Sequence, residues 1–225
     1  MVSPVLYGMR LFWLQNGKYE SYKKTIKVEN NCTFPVWPAI LSGNVPDGFR
    51  NILQPGEKYS LKVPQDWEAT VWGRFGCSSE GNESTRLVCE SGDCGNLLRC
   101  EKAPDQNLQP YTRTIFDNRS LSVDVQMGYN LPMYVGFVNA SWERFTCGSF
   151  HCTGLVADLC PKISQVKVNN KVIGCKCSDC DTYSGHCNPE EYNAAFYAAC
   201  PSAVPFNPDF WCPDSKNYLF TFCPA

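Results

Sequence analysis

CKCSDCDTYSGHC, residues 175–187, sets four cysteines and a histidine within thirteen positions. As an isolated pattern it fits two chemistries. A structural zinc site takes about four Cys or His ligands at short spacing. A disulfide-rich lobe needs cysteines that are oxidised in pairs. The rest of the chain decides between them. It holds 15 cysteines, running from Cys32 to Cys223, and one zinc site cannot occupy them all. The usual companion ligand is scarce, with histidine present only as His151 and His186. A disulfide framework in an oxidising compartment accounts for more of the sequence. The odd number leaves at least one cysteine unpaired or joined to another chain.

Composition narrows the function classes. The 225 residues carry a net charge of −2, and 19% are Asp, Glu, Lys or Arg. That balance gives no electrostatic footing for nucleic acid. No apolar run approaches the ~18 residues of a membrane-spanning helix, so no transmembrane insertion is expected. Residues 1–24 form an extension with an apolar patch at 5–14, broken by Gly8 and Arg10. It has no basic start and no small-residue cleavage site, so it makes a poor secretory signal. Glycosylation sequons start at Asn31, Asn82, Asn118 and Asn139. Asn82, Asn118 and Asn139 are the candidates, because Asn31 adjoins a cysteine expected to be tied into the core.

Beyond residue 24 the pattern is strand-like. TIKVENNC alternates apolar and polar residues with period two. FPVWPAI, with two prolines, fits an edge or bulged strand. KYSLKV, ATVWGRFGC, LSVDVQMG, MYVGFV and NYLFTFCP add further short strands between Pro, Gly and Asn turns. This predicts a mainly β fold, an antiparallel β-sandwich or flattened barrel. Two segments depart from it. Residues 77–100 read as a polar, cysteine-bearing looped lobe. Residues 147–200 read as a cysteine-rich lobe with one helix, capped by Asn188, opened by Pro189, and carrying Glu190 and Glu191 at its positive end. Tyr192, Ala195, Phe196, Ala199 and Cys200 share one face.

Familiar catalytic patterns find little support. SFHC and SGHC put each histidine beside a cysteine expected to be oxidised, which removes the thiolate a nucleophile needs. CSDC at 177–180 has redox spacing but lacks the flanking strand and helix. Nucleotide-binding glycine motifs are absent, and no cofactor or metal is expected. Trp142, in the polar NASWERF segment, is the best candidate for an exposed sugar-stacking ring.

SGDCGNLLRC, at 91–100, resembles the thaumatin-like proteins, the pathogenesis-related family of plants. TIKVENNCTFPVW, WGRFGC, GYNLPM, NPEEYNAAFYAACPSA and NYLFTFCP continue the resemblance, in the family's order, over residues 25–225. It implies a flattened β-sandwich with a disulfide-rich helical lobe and a smaller looped lobe. It also implies the pairs Cys32–Cys223, Cys77–Cys89, Cys94–Cys100, Cys147–Cys212, Cys152–Cys200 and Cys160–Cys175. The region after Cys175 is shorter than in the family. Of Cys177, Cys180 and Cys187 two can pair. Cys180–Cys187 is expected, which leaves Cys177 free.

Many antifungal members resemble one another in a cleft built from one Arg, one Glu and three Asp. Carried over, the cleft keeps Arg74, Asp124 and Asp209. Pro110 stands at the glutamate position and Met127 at the remaining aspartate. Glycoside hydrolysis takes two carboxyl groups flanking the bond, for which Asp124 and Asp209 are the available pair. One must stay protonated, and a neighbouring arginine opposes that. The plain alternative makes all three residues wall supports that bond to loop backbones. The resemblance therefore implies a secreted, apoplastic or vacuolar defence protein, expected to be monomeric and antifungal. It would bind fungal or plant cell-wall β-glucan without efficient turnover. A weak endo-β-1,3-glucanase and a non-catalytic structural or developmental cell-wall protein are the alternatives.

Overall fold

Ile26 and Val28 alternate with Lys27 and Glu29, and the apolar pair is buried. That period of two lays down the first strand of the core. The computed structural model describes residues 22–79, 85–105, 108–117, 120–137, 149–177, 179–180, 187–188, 190–203, 210–211 and 217–224. Their strands are β1 (Tyr22–Asn30), β2 (Trp37–Leu41), β3 (Lys58–Pro64), β4 (Ala69–Ser78), β5 (Val88–Ser91), β6 (Arg113–Phe116), β7 (Ser120–Asp124) and β8 (Met133–Phe137). They continue as β9 (Phe150–Cys152), β10 (Gln165–Val168), β11 (Lys171–Cys175), β12 (Asp179–Cys180), β13 (Cys187–Asn188), β14 (Phe210–Trp211) and β15 (Asn217–Phe222). Two α-helices, α1 (Val156–Leu159) and α2 (Glu190–Ala199), and a short 3-10 helix, Lys162–Ser164, join them.

One sheet runs β3-β1-β15-β8-β9. The other runs β14-β7-β6-β4-β2, with β5 also paired to β4. Both are antiparallel except where β1 meets β15, which run side by side in the same direction. Between the sheets lie Ile26, Val28, Leu61, Val71, Val123 and Phe220, all buried. The layers approach closely at Gly73, where an added Cβ would sit 2.6 Å from Leu131 and 2.7 Å from Phe222. Strand β2, which contains Pro38, lies at a sheet edge, where the N–H that Pro38 lacks interrupts no inner ladder.

Covalent ties follow this topology. Because β1 and β15 are parallel, their C-terminal ends fall together, and Cys32–Cys223 bonds there across 191 positions of sequence. Cys77–Cys89 links directly opposed residues of β4 and β5. Cys94–Cys100 closes the looped lobe. Cys152–Cys200 ties β9 to the end of α2, and Cys160–Cys175 ties the end of α1 to β11. Each such bond typically adds about 2–4 kcal/mol. In α2, Tyr192 and Phe196 are buried on the face that the apolar spacing defines. The Tyr192 hydroxyl donates to the Val125 carbonyl at 2.6 Å, which docks the helix at the end of β7.

Three features differ from the sequence-based expectation. Val88–Ser91, inside the looped lobe, is a strand, because Phe75, Cys77 and Ser78 of β4 extend far enough to pair with it. The cysteine-rich lobe contains the hairpin β10–β11, which turns at Asn169 and Asn170, both at positive φ (49° and 63°). Asparagine tolerates that conformation and supports the tight turn. Third, Cys177 is not free. It is disulfide-bonded and 1% exposed, drawn into the core beside the buried Cys175. Eleven cysteines with described side chains are bonded. The remaining four of the 15 are Cys147, Cys180, Cys187 and Cys212. Cys180 and Cys187 face each other in register across β12 and β13. Cys147, Cys212, His186, Pro189, Trp142 and the sequon residues Asn82, Asn118 and Asn139 lie outside the described residues.

Burial raises the phenols of Tyr59, Tyr129, Tyr192 and Tyr218, the last to about 12. A group whose folded pKa is raised contributes stability that is complete below its unfolded value and lost as pH climbs through the folded one. Arg74, lowered by burial to about 10, and Lys24, also lowered by burial, run the other way, but Tyr111 is raised as well and the phenols outnumber the two bases. Urea unfolding should therefore show a falling midpoint above about pH 10, the unfolded tyrosine value. Tyrosinate absorbance from these rings should appear together with unfolding. Early, gradual ionisation at constant stability would refute their burial.

Candidate functional site

Arg74 and Asp124, two of the polar residues picked out by sequence, lie on one face of the β14-β7-β6-β4-β2 sheet. Register places Trp72 of β4 opposite Arg113 of β6, and Arg113 opposite Asp124 of β7. Arg74 follows Trp72 by two residues and so projects to the same side. This face does not open to solvent at Arg74. Leu97, Cys100 and Ala103 of the looped lobe pack over it, where Ala39, Trp72, Cys94 and Tyr111 form a second small core. Trp72 and Tyr111 meet with ring centroids 5.4 Å apart, and the Trp72 indole donates to the Gly92 carbonyl at 2.9 Å.

Arg74 is fully buried. Its Nη1 donates to the Leu97 carbonyl at 2.8 Å and its Nη2 to that of Leu98 at 3.0 Å. Longer bonds run from Nη2 to Pro38 O at 3.4 Å and from Nε to Trp37 O at 3.3 Å. The guanidinium thus fills the space between edge strand β2 and the loop closed by Cys94–Cys100. Desolvation lowers its pKa to about 10, against the opposing charge of Asp93, and it remains charged at neutral pH.

Asp93 organises the adjoining turn. Its carboxylate accepts from the backbone N–H groups of Cys89 (2.8 Å), Gly95 (2.7 Å) and Asn96 (2.7 Å). Gly92, at φ +72°, enters that turn where a Cβ would lie 2.8 Å from the Gly73 carbonyl. Asn130 completes the junction. Its Nδ2 donates to Gly73 O at 2.9 Å and Ser91 Oγ at 3.2 Å, and its Oδ1 accepts from Thr112 N at 3.0 Å. Ser91 Oγ passes the chain on to Ile173 O of β11 at 2.8 Å. WGRFG, SGDCGN and GYNLPM, distant in sequence, are one hydrogen-bonded unit.

Asp124 is 2% exposed. Its Oδ2 accepts from Arg113 Nε at 2.8 Å and Nη2 at 2.6 Å, while its Oδ1 accepts from the Gln126 N–H at 2.6 Å. Both oxygens therefore face protein donors. Arg113 also touches Tyr111, whose phenol is pushed up chiefly by burial. Sequence inspection misses Arg113, although the signal exists. Counting back from the pair Phe116 and Leu121 brings Arg113 opposite Asp124. The two positions that lack carboxylates are packed rather than polar. Pro110 wedges against Gly128 and Gly174, and Met127 sits beside the Trp72–Tyr111 core. Asp209 lies outside the described residues.

Arg74 and Asp124 share a face. Both are buried, with backbone carbonyls around the first and Arg113 paired to the second. Among the described residues, no group of three or more His, Cys, Asp or Glu is placed to hold a metal ion. His151 is exposed, beside the oxidised Cys152.

Two β-sheets face to face, braced by disulfides and closed over an internal polar junction, define a rigid scaffold of the thaumatin-like kind. The chain belongs to the Thaumatin family, whose model matches residues 30–224. It is 32% identical over 222 residues to the Pathogenesis-related thaumatin-like protein 3.5 of Cryptomeria japonica, covering 87% of this chain and 88% of that one. It is 30% identical over 228 residues to a Thaumatin-like protein of Arabidopsis thaliana, covering 89% and 90%. Among solved structures, it is similar to the thaumatin-like xylanase inhibitor TLXI, at 21% identity and a TM-score of 0.47, over 88% of this chain and 99% of that one.

The Arg113–Asp124 pair is nearly enclosed, with side-chain exposures of 23% and 3%. Breaking such a pair costs about 3–5 kcal/mol. Asp124→Asn and Arg113→Leu should each lower the urea stability by about that amount, and the double variant should lose much less than the sum. Additive losses would show that the two residues act separately.

Proposed function

We propose that this protein is a secreted, defence-type protein that binds cell-wall β-glucan and does not hydrolyse it efficiently. The observation that carries the non-catalytic half is the state of Asp124. A general acid must hold a proton toward the glycosidic oxygen, and a nucleophile must present a free lone pair to the sugar. Both Asp124 oxygens instead accept hydrogen bonds from within the protein, and the residue is buried. Pro110 and Met127 supply no carboxyl group in its place.

The defence half is supported by family membership and by a relative whose name includes pathogenesis-related. The disulfide content supports export, because such frameworks persist in oxidising compartments. No helix among the described residues is long and apolar enough to cross a membrane. Binding is steric and hydrogen-bonded, presented by a rigid scaffold with no cofactor.

The test is incubation of the purified protein with particulate β-1,3-glucan. Retention on the particles with no release of reducing sugar is expected. Sugar release that disappears in Asp124→Asn or Asp209→Asn, with the fold intact, would replace this reading with a glucanase. Failure to bind any cell-wall glucan would favour a structural or developmental role.

A further inference from the structure

We propose that a second site, a pocket of about 450 Å³ beside the start of β5, binds a neutral phenol of one or two rings. Phe75 follows Arg74 in β4 and so points away from the polar junction. Its ring, with Phe34 and Trp37, lines the pocket on one side, and Leu155 and Val156 approach from the α1 segment. This volume and a mostly apolar lining with few polar groups suit a small organic ligand.

Two observations mark it as more than a surface dent. Large apolar side chains stay open around it, Phe34 at 38% and Leu155 at 61%. The polar groups are also few and opposed. Lys171 Nζ lies 3.6 Å from Glu90 Oε2 and 5.7 Å from the centre of the Phe75 ring. Asn130, also in the wall, has its amide engaged with Gly73 and Ser91. An occupant therefore meets apolar walls, one ammonium and one carboxylate.

That combination selects a chemistry. The pair carries no net charge, so an ion gains little. A hydroxyl can donate to Glu90 and accept from Lys171 at once. Phe34 and Phe75 stand tilted by 54° with centroids 5.6 Å apart, an aromatic environment in which a further ring finds edge and face contacts. Gly76 keeps the floor open for the carboxylate, since a Cβ there would lie 2.6 Å from Glu90 Oε2. The site is independent of the glucan reading and uses none of its residues.

The experiment is calorimetric titration of the full chain with 4-propylphenol and with propylbenzene, which has the same body without the hydroxyl. Saturable one-to-one binding of the phenol is expected, at least about 10-fold tighter than propylbenzene, the equivalent of one good polar contact. Ala157→Trp and Val172→Phe fill the pocket from two sides, and each should abolish binding. Whichever variant keeps the wild-type unfolding midpoint serves as the test. The double variant Glu90→Leu, Lys171→Met should remove the preference for the phenol while still binding propylbenzene. The proposal fails if the wild type does not saturate, if a stable filled variant still binds, or if the double variant retains the preference.

Discussion

A charged guanidinium held inside a protein is tolerated only when its N–H groups all find partners, because burying an uncompensated charge is very costly. Arg74 meets that condition with four carbonyls from two separate stretches, Trp37 and Pro38 on the edge strand and Leu97 and Leu98 on the disulfide-closed loop, and with the Cys94 sulfur, which takes the fifth N–H. The arrangement fixes where the loop lies against the sheet. Once it is fixed, Asp93 can gather the Cys89, Gly95 and Asn96 amides, and the Trp72 indole can reach the Gly92 carbonyl. Asn130 and Ser91 then extend the junction to β11, so the sandwich and both lobes share one polar centre.

This centre changes what the polar residues can do. In an open cleft an arginine and several carboxylates form a field that a ligand can meet. Here Arg74 is enclosed, Asp124 is clamped by Arg113, and a proline and a methionine occupy the other two positions. The same side chains that make a site legible have become supports for loops. Each of these side chains is satisfied within the protein and braces the elements around it.

Much of the fold could be read from local pattern. Alternation announced β1, and Tyr192 and Phe196 at helical spacing announced the buried face of α2. Other features depend on pairing between distant segments. TRTIF shows little by itself, and β6 is a strand because β4 and β7 flank it on either side. Arg113 therefore escaped notice as the partner of Asp124. The β10–β11 hairpin turns on two asparagines, which read as ordinary loop residues until their positive φ is known. Pairing carried over by resemblance leaves Cys177 spare, whereas its burial and bond depend on how the chain folds inward.

For the candidate site, the sequence located Arg74 and Asp124 but not their surroundings, since exposure is a property of the chain that folds over them. The most direct measurement is equilibrium urea unfolding of Arg74→Lys, with its disulfides intact. Lysine keeps the charge, but its compact ammonium cannot span carbonyls on opposite sides. If Arg74 holds the junction together, stability falls by about 3 kcal/mol or more, while retention on β-1,3-glucan survives wherever the protein is folded. Stability within about 0.5 kcal/mol of the wild type, the usual effect of a surface change, together with loss of glucan retention, would contradict it and return Arg74 to the ligand.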